Sequence, residues 1–387
     1  MEIRRLEKDD ILSLRKLWSV CYLFEMDVEK VREQLEAAES IPYGYGCFDE
    51  DGNMLSGMLG NSYSMSFDGD RCPLVGIGGV VTHPSYRKNG AVKTILHTML
   101  SEQRANGTVF SGLYPFKFAF YRKFGYEYCF ARTCYRFPIE LLEPFSCESE
   151  VKMFERDEDA LALKEIHDAF AARYNLGIFR SDKSTNEVLS RNPYAGNTYL
   201  YALSENGKYV AYARFSLKED GKKVLKADDL AYLSPEHFRK LLGLFYRFES
   251  EFAEVELSLP DDVPLFSLLG NEYAIRSWKD AEYMMRVLNC EKALSAMNRG
   301  DFGSFVIEVE DSFLPENSGV WRVSADKAIP SNEAPDVKMS IQAFSQMLVG
   351  SVSYESALYR PDVSVFRQNP ALAAAFPEKP LYVGIHY

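Results

Sequence analysis

Between positions 75 and 100 the chain reads V-G-I-G-G-V-V-T-H-P-S-Y-R-K-N-G-A-V-K-T-I-L-H-T-M-L. A strand that stops abruptly in a glycine-bearing loop, which in turn opens a helix, presents several unpaired backbone N–H groups and the positive end of a helix dipole. Such a turn is a cradle for a diphosphate. Gly90 lets the main chain come close to the phosphates, and Arg87, Lys88 and Lys93 supply the charge that neutralises them. No G-K-[ST] follows, which removes a nucleoside-triphosphate loop. No G-x-G-x-x-G stands at the turn, which removes a dinucleotide fingerprint. Coenzyme A is the diphosphate ligand that remains.

Those residues need elements to hold them. Val92, Ile95, Leu96, Met99 and Leu100 recur at i, i+3, i+4, i+7 and i+8, the best helical pattern in the chain. Upstream the sequence predicts a strand over 2–6, an N-cap at Asp9 or Asp10, a helix with Ile11, Leu14, Leu17, Trp18 and Cys21 on one face, and a second helix around 28–35. Strands at 45–48, 54–65 and 74–82 follow, separated by Asp51-Gly52-Asn53 and Asp68-Gly69-Asp70. After the loop 83–90 and its helix come a strand at 109–113, a short helix over 116–124 stopped by Gly125, and a strand over 126–137. This order is an α+β sandwich with one parallel splice.

The same order returns from Val151 onward: a helix through Leu161, Leu163, Ile166, His167 and Phe170, then strands at 198–203, 209–216 and 224–233, and a helix opened by Pro235. Gly207 answers Gly52 and Pro235 answers Pro84, which reads as a duplication. Here L-S-P-E-H-F-R-K (233–240) places Glu236 where a phosphate cradle needs neutral or positive groups, so the second unit is expected to hold no cofactor. A third unit starts near Glu291, with strands at 303–310 and 319–324 and a helix over 341–347. No low-complexity tract separates the units, which should pack on one another.

At 387 residues the chain exceeds what one core supports, and its 47% hydrophobic and 26% charged content is that of a globular protein. The formal net charge of -12 argues against a general nucleic-acid or anionic-membrane partner and favours attraction of a cationic amine. The seven cysteines contain no C-x-x-C pair, which points to neither a disulfide framework nor a zinc site and fits a reducing compartment. Without a signal-peptide pattern or a bilayer-length apolar run, the protein is expected to be cytoplasmic.

Four motifs carry a resemblance: P-S-Y-R-K-N-G-A-V-K (84–93), F-Y-R-K-F-G-Y (120–126), E-D-S-F-L-P-E-N (310–317) and Q-M-L-V-G (346–350). In their order and spread over the whole chain they resemble the Eis (enhanced intracellular survival) family of GNAT N-acetyltransferases. The resemblance implies two tandem GNAT folds, mixed sheets flanked by helices, and a C-terminal α+β domain like sterol carrier protein. The implied domains are 1–142, catalytic; 143–288, GNAT-like without cofactor; and 289–387, ending in a catalytic C-terminus. By the same resemblance the backbone of Val80, Val81 and Thr82 pairs with the pantetheine arm of acetyl-CoA, and Lys88, Asn89, Gly90, Ala91, Val92 and Lys93 hold its pyrophosphate. The loop departs from the family at Val92, where Gly or Ala is common, and at Lys88, Asn89 and Lys93, where Arg is usual.

Attack of an amine on a thioester needs the nucleophile deprotonated, the oxyanion stabilised and a proton delivered to the leaving thiolate. Tyr121 matches the family's general acid. The family's base is its own C-terminal carboxylate, which carries over to Tyr387, with His386 or His83 sharing the role. A backbone N–H near 80–82 is placed for the oxyanion. The implied acceptor is a primary amine of a cationic small molecule, aminoglycoside-like or polyamine-like, or a lysine side chain. Neither a metal, a nucleic acid nor a membrane is implied, and a homo-hexamer is. The rival reading is a non-catalytic carrier of an apolar ligand with a degenerate GNAT half.

Overall fold

The computed structural model describes residues 2–385 apart from 39, 156–160, 183–184, 186–191, 220, 222 and 298–299, with the side chains at 219 and 228 also outside the described set. The first unit contains β1 (Glu2–Arg5), α1 (Lys8–Tyr22), α2 (Val28–Ala37), β2 (Gly44–Phe48), β3 (Met54–Phe67), β4 (Asp70–Thr82), α3 (Ala91–Ala105), β5 (Phe110–Leu113), α4 (Phe118–Tyr121) and β6 (Glu127–Pro138). Helix α3 buries Ile95, Leu96, Met99 and Leu100 completely, as their spacing demands. The second unit contains β7 (Glu150–Phe154), α5 (Leu161–Ala171), β8 (Ile178–Phe179), β9 (Thr198–Glu205), β10 (Lys208–Glu219), β11 (Lys223–Tyr232), α6 (Pro235–Tyr246), β12 (Glu254–Leu259), α7 (Leu265–Leu269) and β13 (Arg276–Val287). Among the described residues no helix is long and apolar enough to cross a membrane.

Both units share one sheet, ordered β1-β2-β3-β4-β5-β13-β6-β12-β11-β10-β9-β7. The last strands are exchanged. β13, from the second unit, pairs antiparallel with β5 and β6 of the first, and β6 pairs antiparallel with β12 of the second. Each unit thereby completes its sheet with the other's final strand.

The third unit contains α8 (Cys290–Ala296), β14 (Ser304–Glu310), β15 (Gly319–Ser324), β16 (Ala328–Pro330), β17 (Val337–Ser340), α9 (Ile341–Val349), α10 (Tyr354–Ala357), β18 (Val363–Val365) and α11 (Pro370–Ala375). Its sheet, β16-β15-β14-β17-β18, packs Phe305, Ile307, Val309 and Val323 into one core with Phe344 and Leu348 of α9. Helix α9 also packs across β6 and β13. The third unit therefore leans on the exchanged strands themselves.

One buried group in the second unit makes stability depend on pH. His167 of α5 is fully buried with Nδ1 facing Asp168 Oδ1 at 3.4 Å, and burial, reinforced by the charge of Arg180, holds its pKa below the ordinary value. The unfolded chain takes up a proton there below about pH 6.5 while the folded chain resists it, so stability present at neutral pH is lost as the pH falls through that value. The carboxylates of Asp168 and Asp229, which are held low, contribute losses only below about pH 4. The melting temperature is expected to fall between about pH 7.5 and 5.5, and to fall less in His167→Gln. An equal fall in both chains, read by scanning fluorimetry, would count against His167.

Candidate active site

The site is built where β4 leaves β5. The two strands pair in parallel only over Leu74–Ile77 and Phe110–Leu113, and beyond them a fork opens. On its other edge β4 carries a bulge in which Gly79 and Val80 stand opposite the single residue Met58. Gly79 has φ +60, and a Cβ there would lie 2.3 Å from the Trp18 ring, so glycine is required both for the backbone and for the close approach of α1. Trp18 Nε1 donates to the Gly79 carbonyl at 2.7 Å.

Strand alternation then sorts the residues at the fork. The His83 N–H donates to the Leu55 carbonyl at 2.8 Å and Ser56 Oγ to the Val81 carbonyl at 2.7 Å, so the main chain of Val81 and His83 faces β3. Val80 and Thr82 face the other way, into the fork. Their carbonyls accept from the Tyr22 hydroxyl at 3.1 Å and from Cys21 Sγ at 3.5 Å. Of the three residues expected along a pantetheine arm, Val80 and Thr82 turn their main chain toward the fork and Val81 turns its own toward β3.

After β4 a short turn, Pro84–Tyr86, is held by His83, whose Nδ1 accepts from the Ser85 N–H at 3.3 Å. Lys88 follows with φ +72 and Gly90 with φ +81, and these left-handed residues fold the chain into the start of α3. Helix α3 has neither a side-chain cap nor an acidic residue in its first turn, and its first hydrogen bond runs from the Thr94 N–H to the Gly90 carbonyl at 3.1 Å. Among the described residues the N–H groups of Asn89, Gly90, Ala91, Val92 and Lys93 have no partner. A Cβ placed on Gly90 meets nothing within 4 Å. The side chains of Arg87, Lys88, Asn89 and Lys93 are exposed around this mouth, while Ala91 is buried and Val92 half-buried.

Tyr121 closes α4. Its ring is only 3% exposed, packed at 5.4 Å from Phe116, 5.1 Å from Phe120 and 6.2 Å from Tyr126. Burial, with the neighbouring phenols of Tyr126 and Tyr22, pushes its ionisation well above the ordinary range. Its hydroxyl has no hydrogen-bond partner among the described residues, whereas that of Tyr126 meets Ser111 Oγ at 2.6 Å. The turn that follows is gripped from outside the first unit. Arg286 Nη1 of β13 donates to the Phe124 carbonyl at 2.5 Å and ion-pairs with Asp311, and Gln342 Nε2 of α9 donates to the Arg122 carbonyl at 2.9 Å.

This geometry meets known families at three places along the chain. One acetyltransferase (GNAT) domain family matches residues 2–129, another matches 177–287, and a sterol carrier protein domain family matches 290–383. The chain is a tandem-GNAT N-acetyltransferase. An uncharacterised N-acetyltransferase of Streptomyces coelicolor is 22% identical over 353 residues, covering 85% of this chain and 84% of that protein. Among solved structures, a probable N-acyltransferase of Enterococcus faecalis superposes with a TM-score of 0.86 at 20% identity, covering 100% of this chain and 99% of that one. Eis1 of Mycobacterium abscessus gives 0.84 at 19% identity over 100% of both chains. At these identities the likeness is one of fold, and it spans all three units.

In this N-acetyltransferase the second GNAT unit repeats the fork, with β11 and β12 parallel over Val224–Ala227 and Glu254–Leu257, and a register shift in the β10–β11 pair. Its turn differs from the first. Ser234 Oγ accepts from the His237 N–H at 3.3 Å, Pro235 removes a donor, and Glu236 is tied to Lys240 at 2.8 Å. One donor is capped and one removed here, and an acid stands in the first turn.

Tyr387 and His386, expected as base and helper, lie outside the described residues. The described tail ends at Ile385, whose carbonyl accepts from the Tyr114 hydroxyl, one residue past β5 and the start of the first fork. Beside it an open cleft runs between the GNAT units, lined by Glu256, Asp280 and Glu282 and by Arg132, Arg214 and Lys226. Tyr22 and Tyr114 escaped sequence reasoning. For Tyr22 a signal exists, since Trp18 and Tyr22 stand at i, i+4 on α1 and both carry a polar tip on an apolar ring.

Proposed function

We propose that this enzyme transfers the acetyl group of acetyl-CoA to a primary amine, with the first GNAT unit holding the donor. The observation that carries the reading is the run of five N–H groups from Asn89 to Lys93, unpartnered among the described residues, beside the fork under an uncrowded Gly90. These amides, with Arg87, Lys88 and Lys93 around them, suit a diphosphate, and the main chain of Val80 and Thr82 suits an extended amide-bearing arm. Bound there, acetyl-CoA supplies an activated acyl group as a thioester. Tyr121, kept protonated by its apolar surroundings, delivers its phenolic proton to the sulfur. The C-terminal carboxylate of Tyr387 takes the proton released by the acceptor amine.

The acceptor proposed is a cationic small molecule, aminoglycoside-like or polyamine-like, or a lysine side chain. Because the adjoining cleft carries both charge signs, a screen should also include zwitterionic amines. Release of free thiol identifies the acceptor. Isothermal titration tests the donor site: acetyl-CoA is expected to bind the native chain and to bind Gly90→Glu at least about 100-fold more weakly, since a carboxylate enters the anion cradle on a strained φ. Equal binding by both chains removes the cradle from the reading. A homo-oligomeric state, a hexamer by the family resemblance, and a cytoplasmic site of action belong to the same proposal. The seven free thiols fit the latter, and sedimentation at the mass of one chain would remove the former.

A further inference from the structure

The two GNAT units open equivalent forks, and the C-terminal segment runs along the second. Tyr382, Val383 and Gly384 line one small pocket together with Asp229, Leu230 and Ser258, where β11 and β12 part. The segment is gripped along its length. Asn175 donates its N–H to the Pro380 carbonyl at 3.1 Å and accepts the Tyr382 N–H on its own carbonyl at 3.1 Å. The Tyr382 ring packs edge-on against Phe170 at 5.1 Å, and Val383 and Ile385 are buried. Arg180, fixed by Asp229 at 2.6 Å and Tyr212 at 2.9 Å, donates to the Gly384 carbonyl at 3.4 Å. One residue later Tyr114 holds the Ile385 carbonyl.

A fork between parallel strands is a slot with main-chain groups on its walls, and it accepts an extended chain whether that chain is a cofactor arm or a peptide. In the second unit Ser234 caps the turn, Pro235 removes a donor and Glu236 brings negative charge, all of which disfavour a diphosphate, while the slot remains. We propose that the fork of the second GNAT unit is a binding site for an extended apolar peptide, the chain's own C-terminal segment. Arg180 and Tyr114 are its positioning residues. They set the register so that Ile385 leaves the second fork at the mouth of the first, and the functional consequence rests on the reading of the C-terminal carboxylate as base.

The test uses the full chain. Native protein, Tyr114→Phe and Val383→Asp are treated with carboxypeptidase under native conditions, release of the last residue is followed by mass spectrometry, and kcat and acetyl-CoA affinity are measured alongside. Tyr114→Phe removes one hydrogen bond and keeps the ring, so the last residue is expected to leave about five- to tenfold faster, with a matching fall in kcat and unchanged acetyl-CoA affinity. Val383→Asp puts a carboxylate into the slot and is expected to exceed both effects. Release at the native rate in both variants overturns the docking site. Faster release with kcat intact, together with full activity in a chain extended by Gly-Gly after Tyr387, supports the docking site and refutes the carboxylate as base.

Discussion

Tyr121→Phe is expected to lower kcat roughly 100-fold, about 2.7 kcal/mol of transition-state stabilisation, while leaving acetyl-CoA affinity within about twofold. The substitution removes one oxygen from a ring held by Phe116, Phe120 and Tyr126, so packing is preserved. The hydroxyl has no protein partner among the described residues, so its loss leaves no buried donor or acceptor stranded and little stability should change. Its pKa, raised by burial, makes it a proton donor and a poor base. The kcat profile of the native enzyme should therefore show no titration of this phenol at neutral pH. A parallel loss of kcat and donor affinity, measured by steady-state kinetics and titration, would make Tyr121 a packing residue instead.

Asp311→Ala is expected to cost about 3–5 kcal/mol, a drop in melting temperature on the order of 10 °C. Arg286 and Asp311 are both completely buried and paired with each other. The carboxylate also accepts from the N–H groups of Phe313 at 3.1 Å and Leu314 at 2.9 Å and from Asn317 Nδ2 at 3.1 Å. Removing it strands a guanidinium and three donors in the interior. The loss should reach catalysis as well, because Arg286 holds the Phe124 carbonyl in the turn that carries Tyr121. The double variant Arg286→Met/Asp311→Leu should recover much of the stability, because it removes both charges, without recovering the turn. If the single variant melts like the native chain, the pair is not what joins the third unit to the catalytic turn.

What the sequence disclosed follows from how local each signal is. Helix α3, the turn at Gly90 and the apolar run that forms most of β4 depend on neighbours a few residues away, and all stand where the sequence placed them. The repeat was visible for the same reason, as turn glycines and prolines at matching offsets. The E-D-S-F-L-P-E-N segment was legible as a motif, but its reason was not, because Asp311 acts through Arg286 on a strand from another unit. β13 was hidden by its own exposure: R-S-W-K-D-A, its first half, lies open to solvent and shows no apolar alternation, while M-M-R-V is buried on both faces. Tyr114 was lost among Phe116, Phe118 and Phe120. Its role depends on a carbonyl 271 residues away, a distance no window of periodicity spans.

The crossing of β6 and β13 has a bearing on how this enzyme can be dissected. Cutting the chain after the first GNAT unit would leave β5 and β6 as neighbours that never pair, each with a bare row of amide groups where the other unit's strand belongs. No minimal catalytic fragment is to be had by truncation, and fragments expressed separately should recover activity only when they are brought together. Pulled from its ends, the molecule should yield the GNAT pair as a single mechanical event.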